Sequence, residues 1–522
     1  MKKTRLFAIA LVAALILPLF LLGISVSAAW DGESASAAFS GGTGEEATPY
    51  IILTENDLAR LAKTCNEGET YAGVYFKLES DLDLGNKPWP VIGATTVFSG
   101  NFDGGDHIIT GLYVDTIGEY GGLFGNTKDA VIKNFSIEAT LVRSYKYSGC
   151  AVGQLTVTPD TGYVEVFNVH VLKADKIVGT TFGGLVGRAS TTGAGMQMFV
   201  RGCSVKNAHL ESFPEDITGV AASASKNAFV GGIVGAAGAL TIDGCFTEDL
   251  TFDCGGGFAT AYATLGGIVG VQGASNMMCD IINCYAINNS FTIRETTTAP
   301  DNKAVCGGLI GRAGHAVDNS RIMNSFSYGN TFDNKKSPDY VGGITGSIVH
   351  WLNTANLSYD AEKAYALDDL EQEYPTMTKV TADDFKAADA VEALKLNDGN
   401  SKTVWIASPA DGHPVIDLTA LAENENTTVA WDPLNEEETT AEEVEATTAG
   451  EGETTTAEEV EQTTAAEVEQ TTAAQGETTT KAAGETTTTA PAPAKKGCGS
   501  AVSLIVPVMI LGAAIVVKSK KD

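Results

Sequence analysis

The chain has 522 residues and a formal net charge of −31. Between Glu423 and Ala490 there are 18 acidic residues and one base, Lys481, so this segment alone carries −17. Phosphate contacts need clustered Lys and Arg, and no basic stripe occurs outside the two termini. The composition therefore excludes a nucleic-acid partner.

The N-terminus has the pattern of an export signal. Three basic residues lie within the first five positions, and an almost wholly apolar run follows from Leu6 to Ile24. Small residues come next, which is typical of a signal-peptidase site. We predict a signal peptide over residues 1–28, cleaved after Ala28 or Ala29. Because the apolar run is long for such a signal, an uncleaved anchor is the alternative.

Export would place the nine cysteines in an oxidising compartment. Cys498 lies beside the C-terminal apolar run. The other eight are Cys65, Cys150, Cys203, Cys245, Cys254, Cys279, Cys284 and Cys306. Four residues separate Cys279 from Cys284, but no second pair follows at zinc-site spacing. The sequence predicts no metal site and no cofactor.

A five-residue glycine core recurs through the middle of the chain. Its glycines are Gly121, Gly122, Gly125, Gly183, Gly184, Gly187, Gly231, Gly232, Gly235, Gly266, Gly267, Gly270, Gly307, Gly308, Gly311, Gly342, Gly343 and Gly346. A degenerate copy runs from Gly149 to Gly153. The seven starts are 28, 34, 48, 35, 41 and 35 residues apart. Variable spacing indicates coils of constant cross-section joined by loops of different length, with paired glycines that allow a corner or a close approach of coils.

A second element, apolar-x-(Asn or Gly)-x-x-apolar, follows most copies. Its members begin at Ile132, Val166, Val200, Ile242, Ile282 and Ile322. Short β-branched and aromatic stretches interrupted by Asn or Gly are typical of strands joined by turns that tolerate a positive φ. We therefore predict a mainly β fold in which residues 116–368 form a right-handed parallel β-helix. A β-propeller, with longer and more evenly spaced strands, is the alternative.

Three cysteines follow the Asn or Gly of this second element directly: Cys203, Cys245 and Cys284. Free Cys behaves as a small hydrophobe. We predict that the three form an inward-pointing stack of buried thiols. Disulfides between neighbouring coils are the alternative.

Residues 41–115, after a linker at 29–40, differ from the repeats. Thr54 is followed three positions later by an acidic residue, which predicts a capped helix that runs to about Asn66. Such an amphipathic helix can cover the open edge of a first coil. We predict an N-terminal cap and the first coils in this region.

Several motifs in this region and the glycine cores follow one recognisable order. The N-terminal motifs are Gly42-Thr43-Gly44, Pro49-Tyr50-Ile51-Ile52, Tyr71-Ala72-Gly73-Val74-Tyr75-Phe76-Lys77-Leu78, Asp81-Leu82-Asp83-Leu84 and Phe98-Ser99-Gly100-Asn101-Phe102-Asp103-Gly104. From Gly41 to Leu418 the chain resembles the GLUG-repeat surface proteins of bacteria, which implies a parallel β-helix of the adhesin type. GLUG repeats also accompany IgA-cleaving peptidases, whose separate catalytic domain carries a His-Glu-x-x-His motif that this chain lacks.

The repeats are followed by a segment of different composition, residues 369–422. Thr381 predicts a short helix from Ala382 to Lys395. Trp405 and then His413-Pro414-Val415-Ile416 resemble the closing strand of the GLUG-repeat domains. We predict a small α/β C-terminal cap here.

Residues 423–497 are rich in Thr and Glu and contain almost nothing apolar to bury. Like charges repel, so we predict a disordered stalk, open to O-glycosylation. An acidic ion-binding tail is the alternative.

Residues 498–522 contain an uncharged run from Ala501 to Val517 and then a basic tail. A helix of this length reaches nearly across a hydrocarbon core of ~30 Å, and the basic tail favours the cytoplasmic side. No Leu-Pro-x-Thr-Gly motif precedes the run. We therefore predict a transmembrane anchor at the plasma membrane, with the N-terminal bulk outside, rather than covalent attachment to the wall.

Candidates for chemistry are few, and we predict no catalytic residue. Asp103 and Asp106 flank a Gly-Gly turn, and turn formation is their more common use. Glu248, Asp249 and Asp253 are close in sequence, and a solvated surface is the simpler interpretation. The six histidines share no repeat position.

Two functions remain. The first is display and adhesion, in which the flank of the β-helix and loops such as Glu211–Asn227 and Ile293–Lys303 bind an extracellular ligand on a host or a neighbouring cell. The second is a carbohydrate-active enzyme of the lyase or hydrolase type. A groove with two or three converging carboxylates favours the enzyme.

Overall fold

A computed structural model describes residues 30–422, with gaps at 160, 191–197, 213–226, 256–261, 273–277, 298, 300, 314–319, 349–352, 362, 368–376, 395, 397–403 and 409. The predicted signal peptide with its cleavage sites Ala28 and Ala29, the stalk and the anchor lie outside the described residues. Within this described part, no helix combines the length and the apolar character needed to cross a membrane.

Three parallel sheets contain most of the strands. The long sheet has 19 strand segments within the described residues. They are Tyr50–Ile52, Tyr75–Leu78, Leu82–Asp83, Asn101–Asp115, Val131–Arg143, Val164–Gly179, Met198–Arg201, Ser204–Lys206, Ala208–Ser212, Leu240–Asp243, Phe246–Glu248, Thr251–Cys254, Cys279–Ile282, Tyr285–Ile287, Ser290–Ile293, Arg321–Tyr328, Thr331–Asn334, Asn353–Tyr359 and Met377–Lys379.

The other two parallel sheets are built from shorter strands. The seven-stranded sheet contains Tyr120–Gly121, Tyr147–Ser148, Thr181–Gly183, Asn227–Gly231, Tyr262–Gly266, Ala304–Gly307 and Val341–Gly342. The eight-stranded sheet contains Phe124–Lys128, Val152–Thr156, Val186–Ala189, Val234–Ala237, Val269–Gln272, Ile310–Ala313, Thr345–Ile348 and Tyr365–Leu367. The prediction of a mainly β fold with parallel sheets is confirmed, and the arrangement is solenoid-like.

Each full coil contributes to all three sheets. In residues 198–237 the order is Met198–Arg201, a first turn at Gly202, Ser204–Lys206, a second turn at Asn207, Ala208–Ser212, then Asn227–Gly231 and Val234–Ala237. Successive coils pair in parallel: Val200 lies between Val166 and Ile242. The glycine core therefore falls where the chain passes from the seven-stranded to the eight-stranded sheet.

The interior is one continuous apolar cluster that extends from Trp30 to Leu357. Rings at the same position of successive coils stack inside it: Phe252 lies 4.5 Å from Phe291, and Phe291 lies 5.1 Å from Phe332, centroid to centroid. Each coil thus covers the apolar face of the next, which a single coil cannot do alone.

The helix Glu55–Asn66 precedes the repeats and ends where the sequence predicts. The Thr54 hydroxyl accepts a hydrogen bond from the Asp57 amide, and the Asp57 carboxylate accepts one from the Thr54 amide. This reciprocal cap satisfies two amides that the helix itself leaves free. Leu58 and Leu61 are fully buried in the main core.

The C-terminal segment, residues 380–422, packs on the flank of the coils. It contains the helices Ala382–Lys386, Ala390–Ala393 and Leu418–Ala422 and an antiparallel pair, Trp405–Ile406 with Val415–Ile416. It forms a second apolar cluster with side chains from the long sheet, among them Tyr285 and Phe326.

The predicted helix Ala382–Lys395 is thus divided in two, with Ala387 in an extended conformation. Phe385 and Ala390 are both buried in the second cluster. Five residues of continuous helix would separate these side chains by about 140° around the axis, so the break brings both onto the same apolar surface. One further short helix, the 3₁₀ turn Asp301–Lys303, lies in a loop among the described residues.

Candidate functional site

An aromatic stack marks one flank of the long sheet, just after the first turn. Phe246, Tyr285 and Phe326 occupy the same position of three successive coils. Their ring centroids are 4.6 Å and 5.2 Å apart, and the planes are inclined by 10° and 3°. Because strands of neighbouring coils lie about 4.8 Å apart, aromatic side chains in one column stack face to face. Repetition alone therefore builds this surface.

The C-terminal segment covers the stack. The Trp405 ring lies 5.5 Å from Phe326 and 6.1 Å from Tyr285, and Phe385 contacts Phe326 at 5.2 Å. Leu421 packs at the first turn, where a Cβ on Gly244 would be only 2.4 Å from its Cδ2. The segment therefore lies across at least three coils and is held there by aromatic and apolar contacts.

A cleft of about 600 Å³ opens between this segment and the coils. We call it the flank cleft. Its polar lining includes Lys206, Glu248, Asp249, Asn288, Asp411 and His413. Phe246 and Tyr285 supply the aromatic part of the wall. A volume of this size and a mixed lining are usual for sites that bind small molecules or short segments of larger ligands.

Glu248 is held by two neighbours at the cleft wall. The Tyr285 hydroxyl donates to its Oε1 at 3.0 Å, and the Lys206 ammonium lies 2.5 Å from its Oε2. Lys206 Nζ also lies 5.1 Å from the centroid of Phe246. Burial raises the pKa of Tyr285 far above its usual value, and the negative charge of Glu248 raises it further. Tyr285 is therefore a neutral hydrogen-bond donor at physiological pH.

Two more carboxylates line the same cleft from different parts of the chain. Asp249 lies at the second turn, with φ of +58°, and its amide donates to the Ile287 carbonyl of the next coil. Asp411 comes from the C-terminal segment and accepts a hydrogen bond from the Ser408 hydroxyl at 2.5 Å. The cleft thus brings three carboxylates together, of which Glu248 is neutralised by Lys206.

The other acids that the sequence singled out lie elsewhere. Asp253 forms an ion pair with Arg294 and does not line the cleft. Asp103 accepts hydrogen bonds from the Gly105 amide at 3.0 Å and from Asn134 at 3.1 Å. Asp106 adopts a φ of +62°. These hydrogen bonds and the left-handed backbone give Asp103 and Asp106 a structural use in the turn.

The three predicted stack cysteines are fully buried thiols in adjacent coils: Cys203, Cys245 and Cys284. The Cys203 amide donates to the Cys245 sulfur at 3.4 Å. Ser325 has the corresponding position in the following coil, and its hydroxyl accepts from the Cys284 amide at 3.0 Å. Burial raises the pKa of Cys245 and Cys284 well above the usual range. These thiols are therefore protonated and unreactive at physiological pH.

The glycine cores are places where backbones meet. A Cβ on Gly231 would lie 2.0 Å from the Val234 carbonyl oxygen, within the same core. A Cβ on Gly232 would lie 1.9 Å from the Gly267 carbonyl oxygen of the next coil. Cys150, in the degenerate copy, has the place of a second glycine and is fully buried. Close approach of backbones, rather than a positive φ, is what selects glycine at both positions.

The first turns differ from the cores in this respect. Their residues adopt a φ between +48° and +63°: Asn134, Asn168, Gly202, Gly244, Asn283 and Asn324. Asn and Gly are the residues that enter this left-handed region most readily. The predicted positive-φ turns are present.

No cluster of three or more His, Cys, Asp or Glu that could bind a metal occurs among the described residues. His315 and His350 lie outside them. His170 is enclosed by Ser204, 2.8 Å from Nδ1, and by Asn168, 2.9 Å from Nε2, and burial lowers its pKa. His413 lines the flank cleft, and its Nδ1 lies 2.8 Å from the Pro414 carbonyl oxygen.

Comparison with known proteins gives little further information. No family model matches the chain, and no curated protein matches it. One solved structure, of a putative immunoglobulin A1 protease from Bacteroides ovatus, is similar with 18% sequence identity and a TM-score of 0.43. The likeness covers 73% of this chain and 95% of that one. At so low a TM-score, the description of the fold rests on the strand pairing of this chain alone.

Sequence reasoning missed the aromatic stack, although a signal for it was present. Phe246, Tyr285 and Phe326 each follow the Asn or Gly of the second element by two residues. Asp411 and His413 had no such signal, because the segment that carries them does not repeat. Its return to the coils joins residues as distant in sequence as Arg201 and Leu421.

Proposed function

We propose that this chain is a bacterial cell-surface display protein that binds a host or neighbouring-cell ligand through the flank cleft and the adjoining loops. The cleft is the observation that carries the proposal. It combines aromatic side chains, both signs of charge and a volume of about 600 Å³ on the outside of a filled solenoid. Exposed sites on a rigid scaffold of this kind suit recognition.

The organisation of the whole chain supports display. A signal peptide at residues 1–28 exports the chain, the repeat domain is a right-handed parallel β-helix of the GLUG type, and residues 423–497 hold it away from the membrane helix at 498–522. Right-handed connection between parallel strands is the strong general preference. Mass spectrometry of the mature N-terminus and protease shaving of intact cells test the export and the outward orientation.

The pairing of charges in the cleft favours binding over catalysis. Glu248 is engaged by Lys206 and Tyr285, so both of its carboxylate oxygens already have a partner. A general acid or base needs a carboxyl group that is free to contact the reacting atoms of a substrate. Asp249 and Asp411 are thus the cleft carboxylates that remain to contact a ligand.

A second candidate is a carbohydrate-active enzyme, favoured by the convergence of Glu248, Asp249 and Asp411 on one cleft. Glycoside cleavage commonly uses two carboxyl groups on opposite sides of the scissile bond. The two functions predict different outcomes for the same variants.

The deciding experiment uses the purified full chain on a glycan array, together with a reducing-sugar assay on any glycan bound. Asp249→Asn keeps the left-handed turn but removes a charge from the cleft. Its matched control is Asp106→Asn, at a positive-φ turn away from the cleft. We expect binding without product release, weakened about tenfold by Asp249→Asn and unchanged by Asp106→Asn.

Release of sugar that is lost in Glu248→Gln or Asp249→Asn would replace the binding function with the enzymatic one. Equal binding by wild type and both Asp→Asn variants would remove the flank cleft from the proposal.

A further inference from the structure

Two basic side chains, which have no acidic partner among the residues that the structure describes, lie beside one tyrosine away from the flank cleft. Lys303 Nζ is 4.7 Å from the ring centroid of Tyr262, and Arg312 Cζ is 4.8 Å from it. Tyr262 begins a strand of the seven-stranded sheet, whereas Arg312 belongs to a strand of the eight-stranded sheet. Lys303 ends the loop Ile293–Lys303, which the sequence already singled out as a ligand-binding loop.

Arg312 is a buried cation without an ion-pair partner among the described residues. Only 8% of its surface is exposed, and within this same part of the chain its Nε has no hydrogen-bond partner. By contrast, the half-buried Arg201 and Arg321 pair with Glu165 and Asp280. An unpaired buried charge is costly, so a site that keeps one is suited to an incoming counter-charge.

The pKa of Tyr262 reflects the positive charge around it. Burial alone would raise the pKa of Tyr262, but hydrogen bonds from Arg312 and Lys303 to the phenol oxygen, and their charges, outweigh burial and lower the pKa below its usual value. Both cations lie within 4.8 Å of the centroid of this one ring. The N–H groups of the same two cations can donate hydrogen bonds to an oxyanion.

We propose that Tyr262, Lys303 and Arg312 form a binding site for a single oxyanion, a carboxylate or a sulfate, carried by a glycan ligand. The proposal rests on the binding function above and deepens it, because it assigns the ligand a negative charge. A chain with net charge −31 disfavours polyanions in general. Two uncompensated cations match one anionic group on an otherwise neutral molecule, as in an acidic sugar, better than a polyacidic peptide.

The neighbouring acids are consistent with this choice. Asp301, two residues before Lys303, is already paired with Lys336 at 3.6 Å. Asp333 is paired with Lys335 at 3.3 Å. A peptide with several carboxylates would meet these side chains as well, and like charges in contact reduce affinity.

The test measures binding of three small probes to the purified full chain by calorimetry: lactose, 3′-sialyllactose and 3′-sulfated lactose. We expect both acidic probes to bind at least tenfold more tightly than lactose, with an advantage that falls as salt concentration rises. Lys303→Gln and Arg312→Gln should each reduce that advantage about tenfold. Lys336→Gln, a lysine on the same side that is already paired, is the matched control and should leave it unchanged.

A spectroscopic readout keeps the test valid if Arg312→Gln does not fold. The ionisation of Tyr262, followed as the ultraviolet difference between wild type and Tyr262→Phe, should move to higher pH when an acidic probe binds, because the probe neutralises the two cations. Equal affinity for all three probes, or an acidic advantage that survives Lys303→Gln, overturns the proposal. Tighter binding of a glutamate-rich peptide than of both acidic sugars overturns the glycan assignment.

Comparison of the sialylated probe with the sulfated probe identifies which oxyanion is preferred. If a neutral glycan binds in a manner that depends on Asp249 and shows no acidic advantage, the display function stands and this inference fails. If no glycan binds and Tyr262 does not shift, both fail.

Discussion

Two turns of the same coil use glycine for different physical reasons. In the glycine core, a Cβ on Gly267 would lie 2.0 Å from the Gly308 carbonyl oxygen of the next coil. In the first turn, Gly244 has a φ of +63°, and Asn283 in the next coil has a φ of +53°. At Gly267 the backbone of the next coil leaves no room for a side chain, whereas the turn requires a backbone conformation. Asn therefore replaces Gly in the turns but in none of the six intact cores, and the degenerate copy has Cys150 at the position of the second glycine.

The difference between the core and the turn can be tested most directly by a substitution in the core. Gly267→Ala forces the carbonyl of the neighbouring coil to move, and the displacement is transmitted to every coil stacked on it. We expect the free energy of unfolding to fall by more than ~3 kcal/mol, measured by urea denaturation. The matched control is Gly118→Ala, where the residue is exposed and the nearest atom to a new Cβ is the Thr116 hydroxyl at 3.2 Å. We expect its effect to stay within about 0.5 kcal/mol.

A loss of less than 1 kcal/mol for Gly267→Ala would mean that the coils can separate locally. The close approach would then not be the reason for glycine at this position.

Substitutions in the first turn should lower the free energy of unfolding less, and their effect separates into two contributions. Asn283→Gly keeps the positive φ but removes the hydrogen bond from the buried Asn283 Nδ2 to the half-buried Asp243 carboxyl at 2.8 Å, which should cost about 1–2 kcal/mol. Asn283→Ala loses the same bond and must also adopt the left-handed conformation with a Cβ, at a further cost of about 1 kcal/mol. Urea denaturation of the three proteins separates the two contributions. Equal stability of the Gly and Ala variants would show that the conformation is not limiting.

Much of this fold could be predicted because repetition multiplies each signal. One Gly-Gly pair is weak evidence, but six copies with a second element behind them fix the type of fold and the kind of turn. The N-terminal helix was also predictable, since Thr54 and Asp57 act within one turn of chain. These signals are local or periodic, so they need no knowledge of long-range packing.

The candidate site could be predicted only in part. Glu248 and Asp249 are adjacent in sequence, but their partner Asp411 comes from a segment that meets the coils once. Asp253 was grouped with them by sequence distance, yet it lies beyond the second turn and pairs with Arg294. A strand reverses the direction of its side chains at every residue and a turn redirects the chain, so nearness in sequence does not imply a shared surface.

The residue after the first turn offers a third test, through pH. Burial raises the pKa of the Cys284 thiol far above its usual value. Above pH 9 the unfolded chain releases this proton and the folded chain retains it, so the stability contributed by the neutral thiol is present below pH 9 and is lost as pH rises. We expect Cys284→Ser to reduce the fall in unfolding free energy between pH 9 and 10 by about 1 kcal/mol. Serine fits this position of the coil, since Ser325 occupies the corresponding position in the next coil.

The measurement is urea denaturation of both proteins in reductant at several pH values. Parallel pH profiles for wild type and Cys284→Ser would contradict a buried, protonated Cys284.

The smallest effect is expected two residues beyond the turn, where neither space nor backbone conformation is limiting. Tyr285→Phe leaves the stack on Phe246 and Phe326 intact and removes only the hydroxyl that donates to Glu248. Because Lys206 still pairs with Glu248 and the cleft admits water, we expect a loss of about 0.5–1 kcal/mol in urea denaturation. Tyr285→Ala removes the ring itself and should cost about 3 kcal/mol or more. If the two variants proved equally unstable, the hydroxyl rather than the repeating ring would hold this flank together, and the column would be a specific hydrogen-bonded site instead of a product of the repeat.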